Sequence, residues 1–552
     1  MSPLNSNSSA SSCANGNVRS LNSSSENSYN IWHTTVSQVP RTYTEAMLLP
    51  DSQLWHQAMR EELNSMCTLG VWTLVDRPEG VKIVRSKWVF SKKKNPDGSL
   101  RKYKARLVAA GCNQIPNVDY DSAYSPVVRM STVRTVLAVA AANNYVLKFM
   151  DCRNAYLNGP CLRTVYMAQP PGFEEYGGDG KPLVCLLHKG IYGLPESGKN
   201  WYFTLCQVLS DIGLTKSKAD PCLYYLSRSK PEDPYFTTCF HVDDKLISAS
   251  SDQVAKQYIE RMLRHLVLVD VQGQLYLGLQ IINDTYYITV GNPEYIKKKV
   301  TLFGLENARI SRNIADGRKA IGKCTESLQA DQRLYREMIG SLMFIANAWR
   351  PDILYQCTIL SQFCQDPRIP HLEAAKHLFR YLKGTVDFRL HFPKQPLPLL
   401  AAVSDASWDS VEGSKSITGY MIRMGSIPLV WKSKKQGKVA HSSCEAEVIA
   451  LSAMTKELES VRGVVFELCP ETLQYPIVVD CDSRSAIQLV ENGGSSESKH
   501  YLRPVNSVRD EVMNANIRLR YTPSEKLAAD FLTKVTSGKR SIEVVKQECL
   551  LY

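Results

Sequence analysis

The stretch FHVDDKLI, residues 240–247, is the part of this 552-residue chain that decides the fold. Apolar residues on both sides of Asp243 and Asp244 predict two strands joined by a tight turn with adjacent carboxylates at its tip. Two acids at a hairpin tip repel each other, and a divalent cation such as Mg²⁺, which prefers oxygen ligands, offsets that repulsion well. An isolated Asp-Asp pair is more often a solvated turn, so the surrounding sequence has to decide between these interpretations.

A predicted strand upstream of this hairpin supplies a further candidate carboxylate. The apolar run VLKFM, residues 146–150, predicts a strand that ends at Asp151. Apolar spacing and a turn sequence, NPDG at residues 95–98, predict further elements on both sides of the hairpin. These are helices over Ser52–Met66, Ser131–Ala142, Tyr335–Asn347 and His371–Lys383, and strands over Lys87–Lys94 and Leu100–Ala109.

Composition narrows the class of protein. The net charge of +12, spread along the chain, suits a polyanionic partner such as nucleic acid. None of the 16 cysteines is spaced as a zinc ligand pair, which favours reduced thiols in an intracellular protein. No apolar run is long enough to cross a membrane, so we expect no membrane partner. We expect a cytoplasmic or a nuclear location.

A second set of acids lies in the C-terminal region. Asp405 follows the apolar run Leu399–Val403, and Asp482 follows a predicted strand over Pro476–Val479. Glu445 and Glu447 lie near the start of a helix that is predicted to run to about Lys456, and Asp530 lies further along the chain. Acids at strand ends and helix starts can converge on one sheet edge, as in two-metal nucleases, although chemistry alone does not choose between Glu445 and Glu447.

Several strings in a fixed order carry a resemblance to a known family. They are KWVF (87–90), KARLVA (104–109), DY and YSPV (119–120 and 124–127), NAYLNG (154–159), VYM and QPPGF (165–167 and 169–173), YGL (192–194) and VDD (242–244). Later strings are WKSKKQ (431–436), SAI (485–487) and LAADFLTK (527–534). From about Trp55 to Lys534 the chain resembles the Pol polyprotein of copia-type long-terminal-repeat retrotransposons.

The resemblance implies a multidomain fold of the α+β and α/β classes. A right-hand polymerase with fingers, palm and thumb would be followed by a ribonuclease H-like domain built on a mixed sheet. The implied boundaries are a disordered Ser/Asn-rich segment (1–40), fingers and palm (41–300), a thumb and connection region (301–395), the ribonuclease H-like domain (396–537) and a tail (538–552). Protease and integrase signatures are missing, so we expect either a part of a longer polyprotein or a clipped gene model.

The resemblance also implies roles for individual residues. The palm acids Asp151, Asp243 and Asp244 would hold two Mg²⁺ or Mn²⁺ ions. Lys104 and Arg106 would grip the triphosphate of a deoxynucleotide, and Tyr156 would exclude ribonucleotides by steric bulk at the 2′ position. The ribonuclease H quartet, which would hold metal in the same way, consists of Asp405, Glu447, Asp482 and Asp530. The implied partners are an RNA template, a DNA primer, the RNA–DNA hybrid and deoxynucleoside triphosphates.

The sequence departs from the family pattern at several positions. His241 stands where the family has Tyr before Val-Asp-Asp, and Pro195 and Glu196 stand where it has Lys-Gln. A carboxylate at position 196 is expected to repel a nearby triphosphate. Two hypotheses therefore stand: an active reverse transcriptase with ribonuclease H activity, or a decayed, non-catalytic remnant that binds nucleic acid and keeps the fold. A cellular ribonuclease H with an unrelated front half fits poorly, because the front half carries its own motifs.

Overall fold

The computed structural model describes residues 39–94, 99–230, 232–271, 275–315, 322, 324–408, 415–493, 501–535, 545–547, 549 and 551–552. Most of the segment predicted to be disordered, the predicted turn at residues 95–98 and much of the predicted tail lie outside the described residues. Within the described part of the chain, none of the helices is both long and apolar enough to cross a membrane.

Helices and strands alternate irregularly along the described chain. The helices are α1 (Tyr43–Leu48), α2 (Ser52–Thr68), α3 (Met130–Ala142), α4 (Ala155–Asn158), α5 (Ser197–Asp211), α6 (Asp252–Leu263), α7 (Pro293–Leu302), α8 (Gln332–Ala348), α9 (Leu354–Ser361), α10 (Ile369–Gly384), α11 (Ser443–Leu468), α12 (Arg484–Asn492) and α13 (Leu502–Met513). The strands are β1 (Trp72–Val75), β2 (Ile83–Val84), β3 (Ser86–Lys94), β4 (Leu100–Ala109), β5 (Val146–Cys152), β6 (Tyr166–Ala168), β7 (Val184–Leu187), β8 (Thr215–Lys216), β9 (Leu223–Tyr225), β10 (Phe236–His241), β11 (Asp244–Ala249), β12 (Leu268–Asp270), β13 (Leu275–Tyr276), β14 (Leu279–Asn283), β15 (Tyr287–Gly291), β16 (Leu390–Pro393), β17 (Leu400–Ser407), β18 (Ile417–Met424), β19 (Ile427–Lys435), β20 (Ile477–Cys481) and β21 (Ile517–Tyr521).

The predicted hairpin and the predicted strand before Asp151 lie side by side in one antiparallel sheet. Its strand order is β12-β5-β11-β10-β9-β8, so β5 pairs directly with the second strand of the hairpin. Helix α3 packs against β10 and β11. Val, Leu and Ala make up most of α3, and even its polar residues are buried, so Ser131–Ala141 is enclosed on every side, as expected for a helix inside a large core.

The N-terminal part of the chain has a core of its own. The hairpin β3–β4 packs on α2, where the Trp55 ring lies between Phe90 and Tyr103 at centroid distances of 5.2 and 4.5 Å. A four-stranded sheet with the order β1-β7-β6-β2 contributes to the same core. The predicted helix over Ser52–Met66 and both predicted strands are confirmed to within two residues at each end.

The C-terminal region contains a mixed sheet with the order β19-β18-β17-β20-β21. The first three strands are antiparallel, and β20 and β21 run parallel to β17. Helix α11 packs on β17 and β18. The prediction that this helix ends near Lys456 is wrong, because it continues to Leu468. Buried apolar residues continue at helical spacing beyond Lys456 and keep one face of the helix in the core; they are Leu458, Val461, Val464, Val465 and Leu468.

The middle of the chain joins the two large sheets. Helices α7–α10 and the sheet β13-β14-β15-β16 share one continuous hydrophobic core with the sheets on either side. Pro393 ends the edge strand β16 opposite Tyr287. Proline is tolerated there because an edge strand leaves one row of backbone groups unpaired.

Candidate functional site: two clusters of acids

The hairpin β10–β11 carries three acids to one end of its sheet. Asp244 is paired with Asp151 across the β11–β5 ladder, and directly opposite side chains in an antiparallel pair lie about 5 Å apart. Asp243 occupies the turn, which His241 and Asp244 close as a pair. The structure therefore brings together the three predicted acids, and we call Asp151, Asp243 and Asp244 the first acid cluster.

The electrostatics of the first acid cluster reflect partial burial and mutual repulsion. Burial, followed by the charge of Asp243, raises the pKa of Asp151. The same two causes, joined by Asp151, raise the pKa of Asp244 to about 6. Among the described residues, no Lys or Arg forms an ion pair with any of the three carboxylates. The nearby cations Lys245, Lys104 and Arg106 offset only part of the shift at Asp151. Half-buried carboxylates that repel one another suit a divalent cation.

The predicted substrate-binding residues lie beside the first acid cluster. The Arg106 guanidinium is 5.1 Å from the centre of the Tyr192 ring, which in turn is 5.2 Å from the ring of Tyr156. Burial, followed by the Asp243 charge, raises the pKa of Tyr156. Burial and then Arg106 lower the pKa of Lys104, against the opposing attraction of nearby acids that include Asp151.

The sequence gives no indication that Tyr192 contacts the predicted substrate-binding residues. It was noted only as part of a matching string, yet its ring bridges Arg106 and Tyr156, and its carbonyl accepts a hydrogen bond from Ala109 N at 2.8 Å. The adjacent Gly193, at φ 92°, approaches the Ala109 carbonyl so closely that a Cβ there would lie 2.1 Å from it. Only glycine fits this approach, which fixes the loop against β4.

The carboxylate of Glu196 has a hydrogen-bond partner within the protein. Its Oε1 accepts a hydrogen bond of 3.3 Å from the backbone N–H of Asp121. Asp121 in turn is ion-paired with Arg163, whose raised pKa reflects Asp121 first and Glu196 as a further contribution. Glu196 thus has a backbone donor and a nearby cation, which partly offset its negative charge.

A second acid cluster forms at one end of the C-terminal sheet. It consists of Asp405, Glu447, Asp482 and Asp530. Asp405 lies on β17, Asp482 directly follows the parallel strand β20, and Glu447 projects from the first turns of α11. Glu447 Oε1 accepts a 3.1 Å hydrogen bond from Ala406 N, which holds the helix against the strand. Thr533 donates to Asp405, and Lys534 pairs with Asp530, so the 530–534 segment closes the cluster.

The second acid cluster is more deeply buried than the first. Burial raises the pKa of Asp405 to about 6, with Asp482 and Asp530 adding to the shift. Burial, then the charges of Asp405 and Asp482, raises the pKa of Glu447 to about 9. Among the described residues, Glu447 Oε2 is buried without a hydrogen-bond partner, and ligand atoms of Glu447 and Asp482 lie within 4.8 Å of each other. An unpartnered buried carboxylate oxygen facing other acids fits a metal ligand.

The structure distinguishes the two glutamates that chemistry left open. Glu445 accepts a 2.8 Å hydrogen bond from His441 N, and its own N–H bonds Ser442 Oγ, so this side chain completes the start of α11. Glu447 is two residues further on and lies with the other acids. The geometry therefore favours Glu447 over Glu445 as a member of the second acid cluster.

An antiparallel sheet with three acids at a hairpin end agrees with the family comparison. Residues 69–313 match the family described as "Reverse transcriptase (RNA-dependent DNA polymerase)", so this part of the chain is a reverse transcriptase domain. Over most of its length the chain is homologous to Pol polyproteins of copia-type transposons, as the resemblance predicted.

Three relatives illustrate the match. The chain is 33% identical over 520 residues to the retrovirus-related Pol polyprotein from transposon RE2 of Arabidopsis thaliana, covering 92% of this chain and 35% of the relative. It is 31% identical over 519 residues to that from transposon TNT 1-94 of Nicotiana tabacum, covering 92% and 38%. It is 26% identical over 516 residues to the transposon TyH3 Gag-Pol polyprotein of Saccharomyces cerevisiae, covering 88% and 28%. The chain spans about a third of the length of these curated relatives.

Proposed function

We propose that this chain is an RNA-directed DNA polymerase that also degrades the RNA strand of RNA–DNA hybrids. Its partners would be an RNA template, a DNA primer and deoxynucleoside triphosphates. The observation that carries the proposal is the direct pairing of Asp151 with Asp244, beside Asp243, inside the matched reverse transcriptase domain. Residues 41–300 would form fingers and palm, 301–395 the thumb and connection, and 396–537 a ribonuclease H-like domain.

Both acid clusters have the donor chemistry for Mg²⁺ or Mn²⁺. Supporting observations are the lack of ion pairs in the first acid cluster among the described residues and the unpartnered Glu447 Oε2 in the second. When bound, paired ions supply the charge that activates the nucleophile, a primer 3′-hydroxyl at the first cluster and water at the second, and that stabilises the leaving oxygen. The raised pKa values of Asp244 and Glu447 are in keeping with acids arranged to share a cation.

The residues around the first acid cluster would bind and select the nucleotide. Lys104 and Arg106 lie two residues apart on β4, so both side chains project from one face of the strand and can contact phosphate oxygens together. The Tyr192 ring packs against Arg106 and restricts its guanidinium. Tyr156, which packs on the other side of Tyr192, would contact the sugar and exclude a 2′-hydroxyl by steric bulk.

The second acid cluster would cleave RNA within the hybrid. Asp405, Glu447 and Asp482 would be ligands of the cations, and Asp530 would complete the set. Lys534 supports this arrangement, because burial alone would lower its pKa, whereas attraction to Asp405, Asp530 and Asp482 raises it overall. Its ammonium therefore holds positive charge beside the acids and would help retain a polyanionic substrate.

Primer extension on poly(rA)–oligo(dT) with purified protein and Mg²⁺ tests the polymerase half of the proposal. We expect extension that disappears in the Asp243→Asn/Asp244→Asn variant. Hydrolysis of an RNA–DNA hybrid should instead disappear in Asp405→Asn and survive in the polymerase variant. A folded protein that binds hybrid but supports neither reaction would establish the decayed, non-catalytic remnant. The hydrogen bond from Asp121 N to Glu196 favours the active enzyme, since it gives this carboxylate a partner within the protein.

A further inference from the structure

The turn that carries the first acid cluster has a strained backbone. Val242 adopts φ 60°, in the left-handed region. A β-branched side chain is a rare outlier there, because its Cβ substituents crowd the backbone, and such conformations persist only where neighbouring groups hold them. The Val242–Asp243 peptide sets the direction of both adjacent carboxylates, so whatever holds Val242 also sets the geometry of the acids.

Three donors from three different elements hold the carbonyl groups of this turn. Trp201 Nε1 on α5 donates to the Val242 carbonyl at 2.7 Å. The Asp243 carbonyl accepts from Cys152 N on β5 at 2.9 Å and from Lys245 Nζ on β11 at 3.2 Å. The first bond restrains the strained residue itself, and the other two restrain the acid that follows it.

The two side-chain donors are buried and contact each other. Trp201 and Lys245 are each only 1% exposed, although lysine is almost never buried to this degree. The Lys245 ammonium lies 5.6 Å from the centre of the Trp201 ring. Along β11, Lys245 alternates with Asp244, so it projects into the core from the opposite face of the sheet. Burying a lysine costs desolvation free energy, and the Lys245 ammonium donates to the Asp243 carbonyl in the turn. We infer that this hydrogen bond has a specific role.

We propose that Trp201 and Lys245 are positioning residues that hold the Val242–Asp243 turn in its left-handed conformation and thereby fix the directions of the Asp243 and Asp244 carboxylates. The inference rests on the proposed function, in which these carboxylates bind divalent cations. Neither residue contacts substrate. Each acts through a backbone carbonyl, which a side chain lacking the N–H donor cannot restrain.

Mn²⁺ binding followed by electron paramagnetic resonance tests this inference without a polymerase assay. The background is the full chain carrying Asp405→Asn and Asp482→Asn, which disables the second acid cluster. We expect Trp201→Phe, which keeps an aromatic ring but loses the donor, to weaken Mn²⁺ binding about threefold to tenfold, the range of one lost hydrogen bond. Lys245→Met should act in the same direction.

A rescue variant separates positioning from a general loss of stability. Glycine adopts φ 60° without strain, so Val242→Gly in the Trp201→Phe protein should restore Mn²⁺ affinity to within about twofold. Thr238→Val is the matched control: it removes a buried hydroxyl of β10 that has no hydrogen-bond partner and should leave Mn²⁺ binding unchanged. If Trp201→Phe does not fold, the Mn²⁺ affinity of Lys245→Met is compared with and without Val242→Gly instead.

The outcomes distinguish the inference from the function on which it rests. Loss of Mn²⁺ binding in Asp243→Asn, with unchanged affinity in Trp201→Phe or no rescue by Val242→Gly, overturns the positioning role. Tighter Mn²⁺ binding in Lys245→Met overturns the role of Lys245, since it would mean that the cation senses the lysine charge and not its hydrogen bond. Unchanged Mn²⁺ binding in Asp243→Asn overturns the proposed metal site itself.

Discussion

The metal-free protein should lose stability as pH rises, and Glu447→Gln should suppress that loss. Glu447 is 6% exposed, its Oε2 has no hydrogen-bond partner, and it lies among the other acids of the second acid cluster. Ionising this group in the folded chain places a charge in a dry site beside Asp405 and Asp482. Glutamine has nearly the same shape and remains neutral at every pH.

The magnitude follows from the pKa of Glu447, which is raised from 4.5 to about 9 in the folded protein. The folded state holds the proton more tightly than the unfolded state, so this stabilisation is complete below pH 4.5 and is lost as pH rises towards 9. The full difference is on the order of 6 kcal/mol, at about 1.4 kcal/mol per pH unit. Local relaxation and water entry reduce it, and we expect about 2–4 kcal/mol between pH 6 and pH 9.

Calorimetric unfolding in EDTA at several pH values measures this effect. The unfolding transition that includes the C-terminal sheet should shift to lower temperature from pH 6 to pH 9 in the wild-type protein, and should shift much less in Glu447→Gln. Asp405, with its pKa raised to about 6, contributes in the same direction at lower pH and is present in both proteins. Mg²⁺ should restore the wild-type transition at pH 8 more than that of the variant. Wild-type stability that is flat or rises over this range would refute the reasoning.

Three further substitutions test other parts of the structure. Tyr156→Ala should raise ribonucleotide incorporation relative to deoxynucleotide incorporation at least tenfold, measured as the ratio of kcat/KM values in primer extension. Glu196→Gln should change the KM for deoxynucleotides by less than about twofold, because the carboxylate already bonds Asp121 N; a large gain in affinity would contradict this orientation. Arg134→Met should destabilise the protein by about 2–4 kcal/mol in urea unfolding, because the guanidinium lies 3.6 Å from the centre of the Trp431 ring and donates to three backbone carbonyls; an unchanged midpoint would show that these bonds add nothing.

The Arg134 contact explains why domain boundaries are hard to read from this sequence. Arg134 lies on α3 beside the sheet that carries the first acid cluster, yet it is 5% exposed and reaches the carbonyls of Asn347, Ala348 and Leu429. Burial without an acidic partner lowers its pKa to about 9. Residues hundreds of positions apart in the chain thus share one core, which no local pattern could reveal.

The sequence by itself determined the local elements and the candidate acids. Alternating and helical apolar spacing predicted β5, the β10–β11 hairpin and α2, because local periodicity reports which face of an element is buried. The ordered strings then indicated the copia-type Pol family, which the comparisons support.

Tertiary structure alone decided how individual side chains are used. Glu445 and Glu447 are equivalent in type and nearly so in position, and only packing of α11 against β17 turns one to His441 N and the other to the acids. Likewise, nothing local to Lys245 or Trp201 indicates that their nitrogens meet at one strained turn. Sequence spacing fixes the face from which a side chain projects, whereas its partner is set by contacts between elements that are distant in the chain.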